Sequence, residues 1–286
     1  MRLIRTAADL AALPRGERRV VVMTMGALHE GHLALIRRAK ELGDQVVVTI
    51  FVNPLQFDEA ADYDSYPRTL DADLALLEPL GVDAVFAPED AEMYPHGEPV
   101  VTVSSGVIGR VLEGAARPGH FDGVLTVVAK LLHLTAPDVA VFGAKDAQQV
   151  IAVKALVRDL NFSVEIATAS TVRDDDGLAR SSRNVFLSPD ERKRALALNR
   201  ALASAARTAE YGATLTTTLK AGRDILDAQD GLDVDYFAAL DPADASEAND
   251  DYRGEVVLAV AARVGATRLI DNITTRIAPS AEGDQR

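Results

Sequence analysis

The sequence predicts an α/β protein with a mostly parallel sheet, followed by a smaller α+β region. Continuous apolar runs of strand length alternate with amphipathic helical stretches as far as residue 171. Aromatic residues make up 5% of the 286 residues and Trp is absent, so Ala, Val, Leu and Ile must build the core. Such residues suit buried parallel strands covered by helices. We therefore predict a Rossmann-like domain at residues 1–171 and a C-terminal α+β lid domain at residues 172–286.

The individual elements follow from periodicity and from their flanking residues. Apolar runs predict sheet strands at residues 20–25, 45–51, 82–87, 139–142 and 163–168. Amphipathic stretches predict helices at residues 33–42, 70–80, 121–134 and 146–160. In the second region we predict helices at residues 188–210 and 216–227, and strands at residues 234–240, 256–264 and 268–273. Ser188 and Pro189 are typical of a helix cap followed by a first-turn proline.

The charge and composition exclude several classes of function. The formal net charge is −13, which argues against a protein that binds the backbone of nucleic acids. The chain has no cysteine, so thiol nucleophiles, disulfides and cysteine zinc sites are excluded. We find neither an N-terminal apolar signal segment nor an uninterrupted apolar run long enough to span a membrane. We expect a cytoplasmic protein without nucleic-acid or membrane partners.

The stretch TMGALHEGH, residues 24–32, joins a predicted strand to a predicted helix. In parallel sheets, ligands bind beyond the carboxyl ends of the strands. A helix N-terminus presents unpaired N–H groups and partial positive charge, and His29 and His32 can face one side of that first turn. The turn is therefore expected to hold a negatively charged oxygen whose charge increases during a reaction. Taken alone, the tetrad is also compatible with surface or capping histidines.

Four motifs together resemble one known family. HEGH resembles the HxGH signature of a nucleotidyltransferase superfamily, which is related to the HIGH motif of class I aminoacyl-tRNA synthetases. TMGALHEGH, FVNPLQF (51–57), GAKDAQQ (143–149) and SSRN (181–184) resemble the pantothenate synthetase (pantoate–β-alanine ligase) family. This resemblance implies that ATP activates pantoate as pantoyl adenylate, with release of pyrophosphate. The amine of β-alanine then displaces AMP to give pantothenate.

The resemblance also implies the residues that carry this chemistry. His32, as proton donor, His29 and Lys145 are the implied catalytic residues. The implied ATP-binding residues are Met25, Gly26, Ala27, Leu28, His29, Glu30, Gly31, His32, Gly143, Ala144, Lys145, Asp146, Val172, Arg180, Ser181, Ser182 and Arg183. Of these, Val172 and Arg180 are expected to contact adenine through their backbones. Pantoate is assigned to Asn53, Gln56 and Gln149, whose amides both donate and accept hydrogen bonds, and β-alanine is assigned to Gln56.

Three further expectations concern ions, partners and weaker segments. Mg²⁺ is expected to arrive with ATP through phosphates and water, because the acidic segment 71–78 is interrupted by Ala72. Arg117 and His120 lie in a segment that the resemblance places near pantoate, although a surface loop is equally compatible. The resemblance further implies a homodimer, and we predict that the small domain and the loop at residues 172–184 close over ATP.

Two other functions remain open at this stage. One is a different HxGH nucleotidyltransferase, and the other is a non-catalytic nucleotide-binding module. The two amide-rich turns favour a polyol acid as substrate, which the first alternative does not need. The presence of His29, His32, Lys145 and Arg183 argues against a module without turnover. A fragment of a class I tRNA ligase would need a basic surface for tRNA, which the charge excludes.

Overall fold

The computed structural model describes residues 1–57 and 60–278, with the side chains of residues 60–62 excepted. Its backbone contacts divide the chain into two compact units. The first comprises Met1–Ala144 and Gln148–Ser170, and the second comprises Lys145–Ala147 together with the chain from Thr171 onward. The described part contains no helix that is both long and apolar enough to cross a membrane.

The first unit contains a six-stranded sheet in which all paired neighbours run parallel. Its strands are β1 (Arg2–Ile4), β2 (Arg19–Thr24), β3 (Gln45–Ile50), β4 (Ala84–Phe86), β5 (Val139–Gly143) and β6 (Glu165–Ala169). They lie in the order β1-β4-β3-β2-β5-β6. After β2 the chain adds strands on one side, and it then returns to the other side with β5. The switch point, where ligands bind in such sheets, therefore lies between β2 and β5.

Helices and short 3₁₀ turns connect these strands. The helices are α1 (Ala7–Ala11), α2 (Glu30–Leu42), α3 (Ala60–Ser65), α4 (Leu70–Leu77), α5 (Asp90–Met93), α6 (Leu112–Ala116), α7 (His120–Thr135) and α8 (Ala147–Asp159). The 3₁₀ turns are Pro54–Gln56, Glu78–Leu80 and Ile108–Arg110. The middle residues of the central strands, 20–22 and 46–48, are apolar and inaccessible to solvent. The predicted α/β fold with a parallel sheet is thus confirmed.

One boundary differs from the prediction in a way that affects the site. Helix α2 begins at Glu30 and not at Leu33, because His29 caps it. Gly43 ends this helix as expected, but its φ of −163° is ordinary extended backbone and not a left-handed cap. A Cβ at Gly43 would lie 2.4 Å from the carbonyl oxygen of Arg18, so close backbone approach explains the glycine. The edge strand β1 was not predicted, because three residues are too few to show a period.

The second unit combines two helices with a three-stranded antiparallel sheet, as predicted for this region. Its elements are α9 (Pro189–Glu210), α10 (Leu215–Asp227), β7 (Leu232–Leu240), β8 (Gly254–Val264) and β9 (Thr267–Ile277), with the strand order β7-β8-β9. Ser188 caps α9 in a capping box with Glu191. Leu198 and Leu202 of α9 and Leu258 of β8 belong to one buried cluster. The alternation of apolar residues therefore marks the face of the sheet that the helices cover.

A buried ion pair ties the segment after β6 to β9. The guanidinium of Arg173 donates from both terminal nitrogens to Asp271, over 2.6 and 3.0 Å. The Asp271 side chain is 3% exposed, so Arg173 supplies the opposite charge beside a buried carboxylate. By contrast, Lys220 and Asp224 on α10 form a pair whose side chains are 69% and 60% exposed. The two pairs should therefore contribute very differently to stability.

We predict that Arg173→Met lowers the free energy of unfolding by about 3 kcal/mol, because it leaves a buried carboxylate without its partner. Lys220→Met is the matched control, and it should change that free energy by less than about 0.5 kcal/mol. Urea unfolding at neutral pH measures both variants. Equal losses in the two variants would contradict the assigned difference in burial.

Candidate active site

The turn between β2 and α2 places two histidines at the carboxyl end of a central strand. Gly26 and Ala27 have φ values of +81° and +49°, which reverse the chain after Thr24. His29 then adopts an extended conformation as the N-cap of α2. The imidazole rings of His29 and His32 lie side by side, with their centroids 4.2 Å apart. Both rings are half-buried.

The two imidazoles form a capping box that a serine and a glutamate commonly form in other helices. Nδ1 of His29 accepts from the backbone N–H of Gly31 at 3.1 Å. Nδ1 of His32 accepts from the backbone N–H of His29 at 3.3 Å. Capping histidines, the alternative left open by the sequence, are therefore observed. The expectation of unpaired N–H groups was wrong for these two amides, because the imidazoles accept from both.

This capping box determines the form in which the histidines can act. A ring nitrogen that accepts from a backbone N–H cannot itself carry a proton. The hydrogen bonds therefore assign the single N–H of each neutral imidazole to Nε2. Each histidine can then donate through Nε2–H to an oxygen of a ligand. Gly31 is needed for this geometry, since a Cβ there would lie 2.8 Å from Cε1 of the His29 ring. The glycine thus makes room for the imidazole of His29.

Other residues of this turn are held by side chains. The N–H of Gly26 donates to Thr24 Oγ1, and the N–H groups of Ala27 and Leu28 donate to the carboxylate of Asp73. Glu30 pairs with Arg37 on the next turns of α2. Met25 and Gly26 line a cavity of about 440 Å³, which Phe51, Val52 and Asp73 also line. The cavity thus opens at the ends of both β2 and β3.

The turn after β3 is anchored on α7 by a buried amide. Asn53 is 1% exposed and donates from Nδ2 to Gly123 O at 3.2 Å and to Gln56 Oε1 at 3.1 Å. Its Oδ1 accepts from Tyr94 Oη at 2.8 Å. Burial raises the pKa of the Tyr94 phenol, which therefore remains a donor. A Cβ at Gly123 would lie 2.1 Å from Leu55 O, so the helix must carry glycine where the turn rests on it.

These contacts distinguish the roles of the two predicted amides. The side chain of Asn53 is engaged within the protein, which suits a residue that positions the turn. Gln56 is half-buried: its side-chain Oε1 accepts from Asn53 Nδ2, and its backbone carbonyl oxygen accepts from Arg117 Nη2 at 3.2 Å and from His120 Nδ1 at 2.9 Å. Arg117 and His120 therefore support the backbone of Gln56 and are not simply part of a surface loop.

The turn after β5 lies beside the histidine turn, because β5 pairs directly with β2. A Cβ at Gly143 would meet Leu35 of α2 at 3.8 Å, an ordinary contact, and its φ is not in the left-handed region. Within the described chain, neither strain nor crowding explains this glycine, so it leaves space above the strand end. Ala144 extends the pairing through its N–H to Ala169 O.

Gln148 and Gln149, at the start of α8, differ in burial. One is buried and the other half-buried, as are Asn53 and Gln56 in the turn after β3. Gln148 is 5% exposed, donates to the carbonyl oxygens of Ile108 and Val111, and accepts from Glu113 N. Gln149 is half-buried. Gln148 therefore has a structural role, and Gln149 remains the predicted ligand residue.

The predicted phosphate and adenine residues of the second unit form three groups: Lys145 with Asp146, Val172 with Arg180, and residues 181–183. The Lys145 side chain is 17% exposed, with Nζ 3.9 Å from Asp146, and its carbonyl oxygen accepts from Asn272 Nδ2. Val172 and Arg180 are brought together, since Arg180 N donates to Val172 O at 2.9 Å. The Arg180 side chain is paired with Asp174, 2.7 Å away.

The remaining predicted residues of this unit form a short 3₁₀ turn. Ser181 caps the turn Ser182–Phe186 by accepting from Arg183 N. Ser182 and Arg183 are exposed to solvent. Within this unit, the structure therefore presents Arg183 on the surface, whereas the Arg180 side chain is engaged in an ion pair.

Sequence reasoning considered Asp73 only as part of the acidic segment 71–78, and it missed Tyr94 and Gly123. Asp73 carried a usable signal, because it lies on the buried side of a helix whose Leu77 is inaccessible. A charged residue on such a face must find donors. Tyr94 and Gly123 gave no local signal, because their partners are distant in the sequence.

A parallel sheet with a histidine pair at its switch point defines a class of ligand-binding α/β protein, and comparisons place the chain within it. A sequence model described as pantoate-beta-alanine ligase matches residues 2–274. A pantothenate synthetase from Streptomyces coelicolor is 51% identical, covering 97% of this chain and 96% of the relative. One from Thermobifida fusca is 54% identical, covering 94% of each.

Solved structures agree with these relatives. A pantothenate synthetase from Thermus thermophilus superposes with a TM-score of 0.89 at 46% identity, covering 98% of this chain and 100% of that one. A pantoate-beta-alanine ligase from Francisella tularensis, complexed with beta-gamma ATP and β-alanine, has a TM-score of 0.74 at 34% identity. It covers 96% of this chain and 97% of its own. The chain belongs to the pantoate–β-alanine ligase family.

We predict that capping and chemistry can be separated at His29. His29→Ala removes the cap and should lower the free energy of unfolding by about 1 kcal/mol. His29→Asn keeps an N-cap acceptor and should retain that stability, although it lacks the Nε2–H donor. Thermal and urea unfolding measure both variants. Equal stability of the alanine and asparagine variants would contradict the capping role.

Proposed function

We propose that the chain catalyses the ATP-dependent condensation of pantoate with β-alanine, in pantothenate biosynthesis. The observation that carries this proposal is the pair of motif turns, TMGALHEGH after β2 and GAKDAQQ after β5, on the neighbouring strands of the switch point. Family membership and the Francisella complex with a nucleotide and β-alanine support it. They also favour the ligase over a different nucleotidyltransferase or a non-catalytic module.

In the first step, the pantoate carboxylate attacks the α-phosphorus of ATP and pyrophosphate leaves. Negative charge grows on the phosphate oxygens, and Nε2–H donors of His29 and His32 at fixed positions would stabilise it. We assign the proton-donating role to His32. Lys145 would neutralise phosphate, and Gly143 would let ATP approach the strand end. The remaining contacts of residues 25–32 and 143–146 with ATP are proposed from the resemblance.

In the second step, the neutral amine of β-alanine attacks the acyl carbon of pantoyl adenylate. The C–N bond forms, the bond to the AMP oxygen breaks, and the nitrogen loses a proton. Gln56 would hold both pantoate and β-alanine, and Gln149 would hold pantoate. We propose that Asn53 acts mainly by fixing the turn that carries Gln56, because its amide is engaged inside the protein.

Residues of the second unit are proposed to bind ATP because the SSRN motif, residues 181–184, resembles the family's phosphate-binding segment. Ser181, Ser182 and Arg183 would bind phosphate, for which two hydroxyls and an exposed guanidinium are well suited. Val172 and Arg180 would contact adenine through their backbones. That residues 172–286 act as a lid remains a prediction, which hydrogen exchange with and without ATP would test.

Mg²⁺ is proposed to enter with ATP, coordinated by phosphates and water. In the part of the chain that the structure describes, no group of three or more His, Cys, Asp or Glu side chains is arranged to hold a metal ion. The buried Asp73 carboxylate accepts hydrogen bonds from backbone amides. The described acidic and histidine side chains, Asp73 included, therefore do not fit a dedicated magnesium site. A homodimer remains a proposal from the family resemblance, and a cytoplasmic location remains a proposal from the sequence.

We expect the wild-type protein to form AMP and pantothenate from ATP, Mg²⁺, pantoate and β-alanine, as measured by mass spectrometry. His32→Ala should lower kcat by about 10²- to 10³-fold, because a donor to developing charge is lost. His96→Ala, at an exposed position away from the motifs, is the control and should retain wild-type kcat. Bound ATP without either product would refute the ligase function.

The adjacent glutamines of α8 provide a second test. Gln149→Ala should raise the KM for pantoate by about 10- to 100-fold, as expected for a lost hydrogen bond to a charged ligand, with little change in stability. Gln148→Ala should instead lower stability, because it leaves buried backbone groups unpaired. Steady-state kinetics and urea unfolding of both variants separate the two roles. An unchanged KM in Gln149→Ala would remove this residue from the pantoate site.

A further inference from the structure

The histidine turn contains one alanine in a backbone conformation that alanine does not favour. Ala27 has a φ of +49°, and it follows Gly26 at +81°. Glycine takes such values readily, whereas the Cβ of alanine makes the left-handed region unfavourable. Ala27 lies two residues before His29, so any relaxation of its backbone would redirect the histidine pair. Something outside the turn must therefore hold Ala27 in place.

The carboxylate of Asp73, in the first turn of α4, supplies that constraint. Its Oδ2 accepts from Ala27 N at 3.1 Å, and its Oδ1 accepts from Leu28 N at 2.8 Å. Thr69 Oγ1 also donates to Oδ2, at 3.3 Å. The two hydrogen bonds from Ala27 N and Leu28 N hold consecutive residues, and so they define the direction of the chain where it enters the N-cap of α2.

The surroundings of Asp73 show that the contact is internal to the protein. The residue is 1% exposed. Burial of a carboxylate is unfavourable unless donors surround it. Here three donors and the N-terminus of α4, where negative charge is favoured, compensate the charge. A Cβ at Gly26 would lie 3.0 Å from Asp73 Oδ2, so the carboxylate lies directly against the turn.

We propose that Asp73 is a positioning residue for adenylate formation, which holds Ala27 in its left-handed conformation and thereby places His29 and His32. The proposal rests on the function proposed above, in which these histidines donate to the phosphates of ATP. Asp73 itself is assigned no contact with substrate. Its effect should reach the reaction through the backbone of the histidine turn.

Asp73→Asn tests the proposal with little change in volume. The amide has one acceptor oxygen, so it cannot accept from both backbone N–H groups in the same way. We expect a fall in kcat of about 10- to 100-fold for pantoate-dependent exchange of pyrophosphate into ATP, since small misplacements of catalytic groups have effects of this size. The Mg²⁺ concentration for half-maximal rate should stay unchanged. Asp9→Asn is the matched control, because Asp9 is an exposed first-turn aspartate that likewise accepts from a threonine hydroxyl.

Substitutions at Ala27 test the same constraint by changing how readily this residue adopts a positive φ. Glycine adopts positive φ without strain, so Ala27→Gly should restore part of the lost kcat when combined with Asp73→Asn. Ala27→Val should lower kcat in the otherwise wild-type chain, because a β-branched residue resists positive φ. If Asp73→Asn fails to fold, Ala27→Val alone still provides the test.

A readout independent of activity separates this proposal from the proposed function. The amide protons of Ala27 and Leu28 should exchange slowly in the wild type and at least about tenfold faster in Asp73→Asn, as local opening becomes easier. If the wild type shows no pyrophosphate exchange, the proposed function fails, whereas the amide measurement still tests the anchor. Wild-type kcat in Asp73→Asn or Ala27→Val would overturn the positioning role. A shifted Mg²⁺ requirement without rescue by Ala27→Gly would also overturn it, in favour of a metal ligand.

Discussion

The candidate site depends on how one strand-to-helix turn satisfies its backbone N–H groups. Buried amides must find acceptors, and a turn with two successive positive φ values cannot find them in a regular helix or sheet. Here side chains accept from the turn: Thr24 from Gly26, Asp73 from Ala27 and Leu28, and the two imidazoles from the start of α2. The geometry of the histidines follows from this arrangement.

This constraint gives His29 and His32 two connected roles. A serine and a glutamate would also cap the helix, but they would present no ring N–H groups to a ligand. Because each Nδ1 accepts from the backbone, the proton is assigned to Nε2, and each ring keeps its orientation before any ligand binds. Donors that are positioned in advance need not reorganise when charge develops on a phosphate, which is the physical basis of the proposed catalysis.

The same division of roles recurs in the other motifs. Asn53 and Gln148 are buried amides whose hydrogen bonds lie within the protein, and each has a half-buried glutamine nearby, Gln56 and Gln149. In each case, the buried residue fixes the backbone on which the candidate ligand residue is carried. Mechanistic assignments at such motifs must therefore separate residues by burial, because residues of similar type can have different roles.

The sequence by itself determined the α/β class, most of the strands and long helices, and the two motif turns at the switch point, because apolar periodicity and glycine positions are local properties. It also carried the family resemblance. Only the tertiary structure decided that α2 begins at the histidines, that Asn53 and Gln148 are internal anchors, and that Asp73 lies beneath the turn. The start of α2 follows from hydrogen bonds within the turn itself, whereas the anchors depend on hydrogen bonds between residues distant in the chain, such as Asp73 with Ala27 and Asn53 with Tyr94. No local pattern encodes such pairings, because which partner satisfies a buried polar group depends on how the elements pack.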